Sequence, residues 1–446
     1  MKAIILDAGI GRKIWPYNTY HNKGMIKIGN KPILMHLTES LEKLNCDDIT
    51  IVAKHHVNEV QRAFRQDHHV RVVEVNDSLG TAHTLKQVID DENCLVLYGD
   101  CLILEEDLRA FLRSQNDVLV SQLHEDSTLH ICCEVDEGCV HHFWGHPRGD
   151  FHFFACAFKF NAQMIPYLTT SSIFNVTKVG IGSPEEMYLE SALNDYMDDY
   201  HPLKAHFSVY QVYDIDKPWH IMEANKYYNQ YIAKKIKGRH IGNCTCISQH
   251  MRLPENIIIG DDCYIGDYVV IGEGCVIEDH TRIDNGALIG NGVHIGKKCV
   301  IEDHCKIGDY SSIGDECIMA HTAEVIEAVL FDKVYLYHYG EYYGVIGTHT
   351  DLGAGTTCGT LRFDDGKTSH HVCGHREIPT EYSNACFIGD YSRTGVGAIL
   401  LPGCKVGSKS VVGSGVILNV DLEDHTLVYP KQELCKKKWD DDNYGW

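Results

Sequence analysis

From residue 259 to residue 313 an isoleucine stands at every sixth position: Ile259, Ile265, Ile271, Ile277, Ile283, Ile289, Ile295, Ile301, Ile307 and Ile313. A period of six is neither that of a helix nor the simple alternation of a strand. Four positions after each isoleucine comes a small or medium side chain, among them Cys263, Cys275, Thr281, Cys299, Cys305, Ser311 and Cys317. Glycine follows most of the isoleucines, as a chain turning tight corners requires. Three such sixes make one triangular coil, and stacked coils place the isoleucines in a column inside a parallel β-helix. The register returns at Ile346 and Leu352, and again at Ile388, Leu400, Val406, Val412 and Leu418. The stretches at about 320–345 and 360–387 are expected to leave the column as irregular coils or loops, where function tends to sit on a rigid solenoid.

The first 230 residues follow another pattern. Short apolar strands (KAIIL, DDITIVA, NCLVLYGD) alternate with helical stretches (LMHLTESLEKL, LGTAHTLKQVID), which predicts a largely parallel sheet covered by helices. Ligands of such sheets bind at the carboxyl ends of the strands. The helical stretch DKPWHIMEANKYYNQYIAKKIK closes this half, so the expected domains are 1–235, α/β and Rossmann-like, and 236–446, a hexapeptide-repeat β-helix.

Composition narrows the chemistry. A net charge of −22 over 446 residues works against nucleic acid or an anionic membrane surface as partner. No apolar run reaches bilayer length and no export signal is evident, so the expected location is cytoplasmic. The 19 cysteines form no CxxC pair, and five of them fall on the repeat as core spacers, which suits reduced, buried thiols. The 28 histidines show no HExxH-like spacing.

The candidate chemistry begins at the end of the first strand. In KAIILDAGIGRKIWPYNTYHNKGM, backbone amides around Gly9 and Gly11 can approach phosphate oxygens, with Lys13 and Lys23 as flanking cations. SLGTAHTL and LVLYGDC follow in order. Here the chain resembles the sugar-1-phosphate nucleotidylyltransferases, whose opening motif reads roughly LAAGxGxRLxPLTxxxPKxM. It is most similar to the two-domain bifunctional members that add a left-handed hexapeptide β-helix with acetyltransferase activity, including the archaeal type. The resemblance implies that a nucleoside triphosphate and a sugar 1-phosphate give a nucleotide sugar and pyrophosphate, with Mg²⁺ bound by an acidic pair.

By resemblance, Leu6, Ala8, Gly9, Gly11, Gly80 and Thr81 belong to the nucleotide site, Lys13 and Lys23 to catalysis, and Asp100 and Asp214 to Mg²⁺. Two carboxylates converging on one phosphate suit a cation that prefers oxygen ligands. Several positions depart from the motif. Asp7 replaces an alanine and sets an anion beside the cradle, Val75 stands where a base-reading glutamine is usual, and Phe154 sits where the sugar side has an asparagine. The segment Gly145-His146-Pro147 replaces an EKP sequence.

In the second half, GTHTDLGAGTTCGTLRFDDGKTS resembles the acetyltransferase loop, with Thr360 on the family's asparagine. The catalytic histidine slot falls on Tyr337, and His338, one step away, is the candidate base for acyl transfer from acetyl-CoA. The resemblance further implies a homotrimer through the β-helix. Two alternatives stand beside this reading: a regulatory homologue that binds a nucleotide sugar without turning it over, favoured by the changes at Asp7, Val75, Phe154 and Thr360, and a protein in which only the acyltransferase half works.

Overall fold

The computed structural model describes residues 1–439 apart from 91–92, 125–126, 128–129, 146, 148 and 170–186, so His146 of the GHP segment lies outside the described residues. The opening strand Lys2–Asp7 is buried at all six positions because it lies inside a nine-stranded sheet with strands on both sides. The strand order is Val70–Glu74, Asp48–Ala53, Lys2–Asp7, Cys94–Tyr98, Phe153–Phe160, Val118–Gln122, Leu203–Phe207, Cys139–Gly145, Ile131–Asp136. The first four strands are parallel. Beyond them Phe153–Phe160 runs antiparallel to both neighbours while Leu203–Phe207 runs parallel to Val118–Gln122, so the sheet is wholly parallel only in the half that carries the glycine loop.

Alternation along the opening strand feeds two cores. Ala3 and Ile5 pack with Leu34, Leu37 and Leu41 of helix Ile33–Lys43, whereas Ile4 and Leu6 pack with Ala82 and Leu85 and with Leu189 and Leu193 of helix Leu189–Asp199. LGTAHTLKQVID forms only the short helix Thr81–Lys86. Among the described residues no helix is long and apolar enough to cross a membrane.

Helix Pro218–Lys235 leads into a left-handed parallel β-helix, whose first strand is Arg239–Ile241 and whose three faces are sheets of nine, ten and eight strands. The isoleucine column is fully buried, and so are the positions four residues on. Those side chains do more than fill space. The thiols of Cys275 and Cys299 donate to the carbonyl oxygens of Gly290 and Gly314, each at 3.0 Å, and the Thr281 hydroxyl donates to Gly296 O at 2.7 Å. At the corners a carboxylate or amide oxygen of the next coil accepts from a backbone N–H, as in Asp261 N to Asp279 Oδ1 (2.9 Å) and Asn291 N to Asp309 Oδ1 (2.7 Å). A solenoid built this way uses acidic corners to satisfy its turns, which accounts for part of the negative charge.

The expectation for 320–345 is corrected. This stretch stays in the column, with Val325, Leu330, Leu336 and Tyr342 buried in succession. The pattern breaks because one corner is shortened between Val325 and Leu330 and another between Tyr342 and Ile346. Tyr342 is therefore core. Residues 359–385 do leave the column, folding into the hairpin His370–Val372 and His375–Glu377, and the chain rejoins it at Cys386–Ile388.

The two halves share one core. Tyr17, Ile14, Trp219 and Met222 cluster with Val329, Phe331, Val345, Tyr382 and Phe387 of the β-helix half. The Tyr17 hydroxyl donates to Val345 O at 2.7 Å, and Asp424 accepts from Trp15 Nε1 (3.1 Å) and the Thr19 hydroxyl (2.9 Å). Asn225 and Asn229 of the connecting helix both donate to Tyr310 O, at 3.0 and 2.9 Å. His21 lies 2.7 Å from Glu59 and 3.4 Å from the fully buried Asp390. Burial alone would lower its pKa, but Asp390 and Glu59 outweigh this and raise it from 6.5 to about 10. A histidine pKa raised by folding stabilises fully below the unfolded value and loses that contribution as pH climbs through the folded one. Wild type should therefore melt above His21→Gln at pH 6.5, and the difference should fade as pH passes about 10. A gap independent of pH would contradict the assignment of charge to His21.

Candidate active site

The carboxyl ends of the parallel strands open into a cavity of about 600 Å³. Leu6, Ala8, Gly9, Lys13, Lys23, Gly80, Thr81, Asp100 and Asp214 all line it, while Gly11 stands behind the wall, where its left-handed φ of 63° turns the chain toward Lys23. His338 is far along the chain in the β-helix half and is not part of this cavity.

Local structure explains the convergence. Asp100 follows strand Cys94–Tyr98 at a turn, and the short pair Tyr213–Asp214 runs antiparallel to Cys101–Leu102 with Asp214 opposite Cys101. Ile215 N donates to Asp100 O at 3.0 Å, which locks the register. The carboxylates of Asp100 and Asp214 and the Cys101 thiol thereby offer ligand atoms within 4.8 Å of one another. Burial, then Asp214 and Asp100, pushes the Cys101 thiol well above its ordinary range, leaving two hard carboxylates as ligands. Asp214 Oδ1 is buried without a hydrogen-bond partner. This donor set fits a divalent cation that prefers oxygen.

Lys23 sits at the centre. Its ammonium is 2.5 Å from Asp100, 2.5 Å from Asp216 and 3.7 Å from Asp214, and only 9% of the side chain is exposed. Burial opposes its charge, but Asp100, Asp216 and Asp214 outweigh it and hold the pKa well above 10.5. Lys13 pairs with Asp216 at 3.0 Å, and Asp216 raises its pKa. Asp216 is accordingly held well below the usual carboxylate range, the two lysines overcoming its burial. Asp214 goes the other way: burial, then Asp216, raises it to about 6.

The departures from the motif have distinct fates. Asp7 lines the cavity, where its Oδ1 accepts from Gly24 N at 3.3 Å and burial, then Asp100, pushes its carboxyl well above the usual range. Val75 is buried in the sheet core, outside the cavity. Phe154 does line it, near Ile131 and Tyr98. On that wall Tyr98 donates to Glu190 Oε1, while Glu190 Oε2 is buried without a partner.

Sequence reasoning missed Asp216, Glu190 and Arg12. The signal for Asp216 is present in VYDIDKPW, where two aspartates spaced by two point the same way along an extended segment. Arg12 lines the cavity together with Lys13 and Lys54. A rim of cations over buried carboxylates suits a polyphosphate bound together with a metal ion.

Residues 3–147 match the model of the MobA-like NTP transferase domain, and residues 256–291 and 286–321 match the bacterial transferase hexapeptide. The first half is thus similar to a MobA-like NTP transferase domain, and part of the second carries transferase hexapeptide repeats. Its sequence is 28% identical over 444 residues to the bifunctional protein GlmU of Methanocaldococcus jannaschii, covering 98% of this chain and all of that protein. It is 27% identical to the bifunctional protein GlmU of Methanococcus vannielii, again over 98% of this chain and all of the relative. The bifunctional sugar-1-phosphate nucleotidylyltransferase/acetyltransferase of Sulfurisphaera tokodaii is 24% identical over 95% of this chain and 98% of its own length. The transferase domain match contains the glycine loop, both lysines and Asp100, whereas Asp214 and Asp216 come from the chain beyond it.

Proposed function

We propose that this protein is a sugar-1-phosphate nucleotidylyltransferase, residues 1–235, with an amino-sugar N-acetyltransferase in residues 236–446. The observation that carries the first half is the meeting of Gly9, Lys13, Lys23, Asp100 and Asp214 in one cavity at the ends of parallel strands. The full-length likeness to bifunctional relatives supports the pairing of activities.

In the reaction an oxygen of the sugar 1-phosphate attacks the α-phosphorus of the nucleoside triphosphate, the bond to the β-phosphate oxygen breaks, and pyrophosphate leaves. Such transfer asks the protein mainly for positioning and charge stabilisation. The glycine loop and the Gly80–Thr81 loop hold the nucleotide, with UTP or dTTP the favoured donors. Lys13 and Lys23 face the leaving pyrophosphate. Asp100 and Asp214 would hold Mg²⁺, which when bound supplies positive charge against the phosphate oxygens.

In the β-helix, His338 is half-exposed at a corner, its ring stacked on His321 at 5.1 Å and its carbonyl oxygen accepting from Gly355 N at 3.0 Å. That bond joins it to the Gly353–Thr356 turn of the loop that resembles the acetyltransferase motif. We assign His338 as the base that takes the proton from the sugar amine. Acetyl-CoA would bind between neighbouring solenoids of a homotrimer.

The test is pyrophosphate release by the full chain with Mg²⁺, each common nucleoside triphosphate, and a panel of hexose and aminohexose 1-phosphates. Thiol release from acetyl-CoA is followed in parallel. Release with one nucleotide–sugar pair is expected; silence across the panel with nucleotide sugars still binding would establish the regulatory alternative instead.

A further inference from the structure

The hairpin that leaves the solenoid column ends against the transferase half. Glu377 Oε2 pairs there with Lys217 Nζ at 2.8 Å, with only 8% and 2% of the two side chains exposed. Glu377 Oε1 lies 2.7 Å from His375 Nε2. The hairpin is itself fixed: buried Lys405 donates to His371 O at 2.9 Å, His370 Nε2 is 2.7 Å from Ser383 O, and the His370 ring packs on Trp219 at 5.1 Å.

Lys217 is the residue after Asp216 and the N-cap of helix Pro218–Lys235. The span Asp214–Lys217 is therefore held at two points. At one end Asp214 pairs with Cys101, and at the other Lys217 is gripped by a carboxylate from the β-helix half. A buried ion pair gains little over a well-packed apolar pair in stability, so its worth here lies in the geometry it specifies. Take the carboxylate away and the Lys217 ammonium loses its 2.8 Å partner, and its movement draws Asp216 and Asp214 along the same short backbone. The other arm of the cavity leans on the solenoid too, since residues 15–21 bond to Val345, Asp390 and Asp424.

We propose that Glu377 is a positioning residue for the nucleotidyl-transfer site: through Lys217 it sets Asp214 and Asp216 against Asp100, which makes cation affinity in the transferase half depend on the solenoid insertion. The proposal rests on Asp100 and Asp214 being the cation ligands. A partner behind the ligands that orients them is worth about tenfold or more in metal affinity.

The experiment measures Mn²⁺ binding to the full chain by the paramagnetic resonance of free Mn²⁺, for wild type, Glu377→Gln, Lys405→Met and Asp100→Asn. Thermal unfolding and the Mg²⁺ dependence of pyrophosphate release accompany it. Glu377→Gln should weaken Mn²⁺ binding about tenfold, and the half-saturating Mg²⁺ concentration should rise in step while the rate at saturating Mg²⁺ changes less. Lys405→Met, which removes the hairpin's bond to His371 O, should move the same way and carries the test if Glu377→Gln does not fold. A lower melting temperature with wild-type Mn²⁺ affinity overturns the proposal alone, provided Asp100→Asn abolishes binding. Binding that survives Asp100→Asn unchanged overturns the ligand assignment and the proposal together.

Discussion

Asp214→Asn is expected to lower pyrophosphate release by roughly a thousandfold at fixed Mg²⁺ while leaving the melting temperature unchanged or higher. A metal ion that neutralises phosphate charge supplies several kcal/mol of transition-state stabilisation, and about 4 kcal/mol corresponds to roughly a thousandfold in rate. Asparagine keeps the shape of Asp214 and its pairing with Cys101 but removes the charge. The stability expectation follows from the raised pKa of about 6, caused by burial and then by Asp216. A carboxyl that is harder to ionise in the folded state than in the unfolded one opposes folding at neutral pH, so its removal relieves that cost. A coupled assay for pyrophosphate with a thermal melt in the same buffer checks both. Wild-type turnover in this variant would remove Asp214 from the site.

Lys23→Met should show the opposite balance. The ammonium is the shared partner of Asp100, Asp214 and Asp216, and losing one member of a buried ion pair typically costs about 3–5 kcal/mol. Without it three carboxylates face each other with only Lys13 still paired to Asp216. The variant should melt well below wild type in chelator, and millimolar Mg²⁺ or Mn²⁺ should restore more of its stability than it adds to wild type. Turnover should still fall by roughly a hundredfold or more, because a cation that steadies developing phosphate charge is gone. Equal thermal shifts for the two proteins would mean that Lys23 and the divalent cation do not share ligands.

Much of this site is legible in local sequence because each part sits at the end of a recognisable strand. Gly9 follows KAIIL, Asp100 follows CLVLY, and Asp214 stands in a short extended run that pairs back to Cys101. Asp216 escapes that reasoning because its role depends on Lys13 and Lys23, and these reach it only once the segment 12–25 has folded back over the cavity. The solenoid column is plain from 259 to 313, where isoleucine repeats without exception. It becomes obscure from Met319 to Tyr342 because the side chains vary and corners shorten, although the coils continue. The union of the two halves has no periodic signature at all. Trp15, Tyr17, His21, Asn225, Asp390 and Asp424 are unremarkable singly, and their bonds join residues up to about 400 positions apart. Such contacts express shape complementarity, which a one-dimensional pattern does not encode.

The docking of the first half along the solenoid, from Gly274 to Asp424, also bears on how the chain can change in length. A repeat protein whose coils touch only their neighbours tolerates gain or loss of a whole coil. That freedom is lost wherever the transferase half touches the solenoid, and the contact already begins where Gly274 and Gly292 lie against Ala233 of the connecting helix. Between Tyr310 and Asp424 the transferase half acts as a fixed gauge, because residues 15–30 and the helix at 218–235 grip coils at both limits. An added coil there would pull Asp424 away from Trp15 while Tyr310 still held Asn225. The irregular corners after Val325 and Tyr342 thus fall within the stretch whose height is set from outside, and the insertion at 359–385 bulges sideways without lengthening the stack.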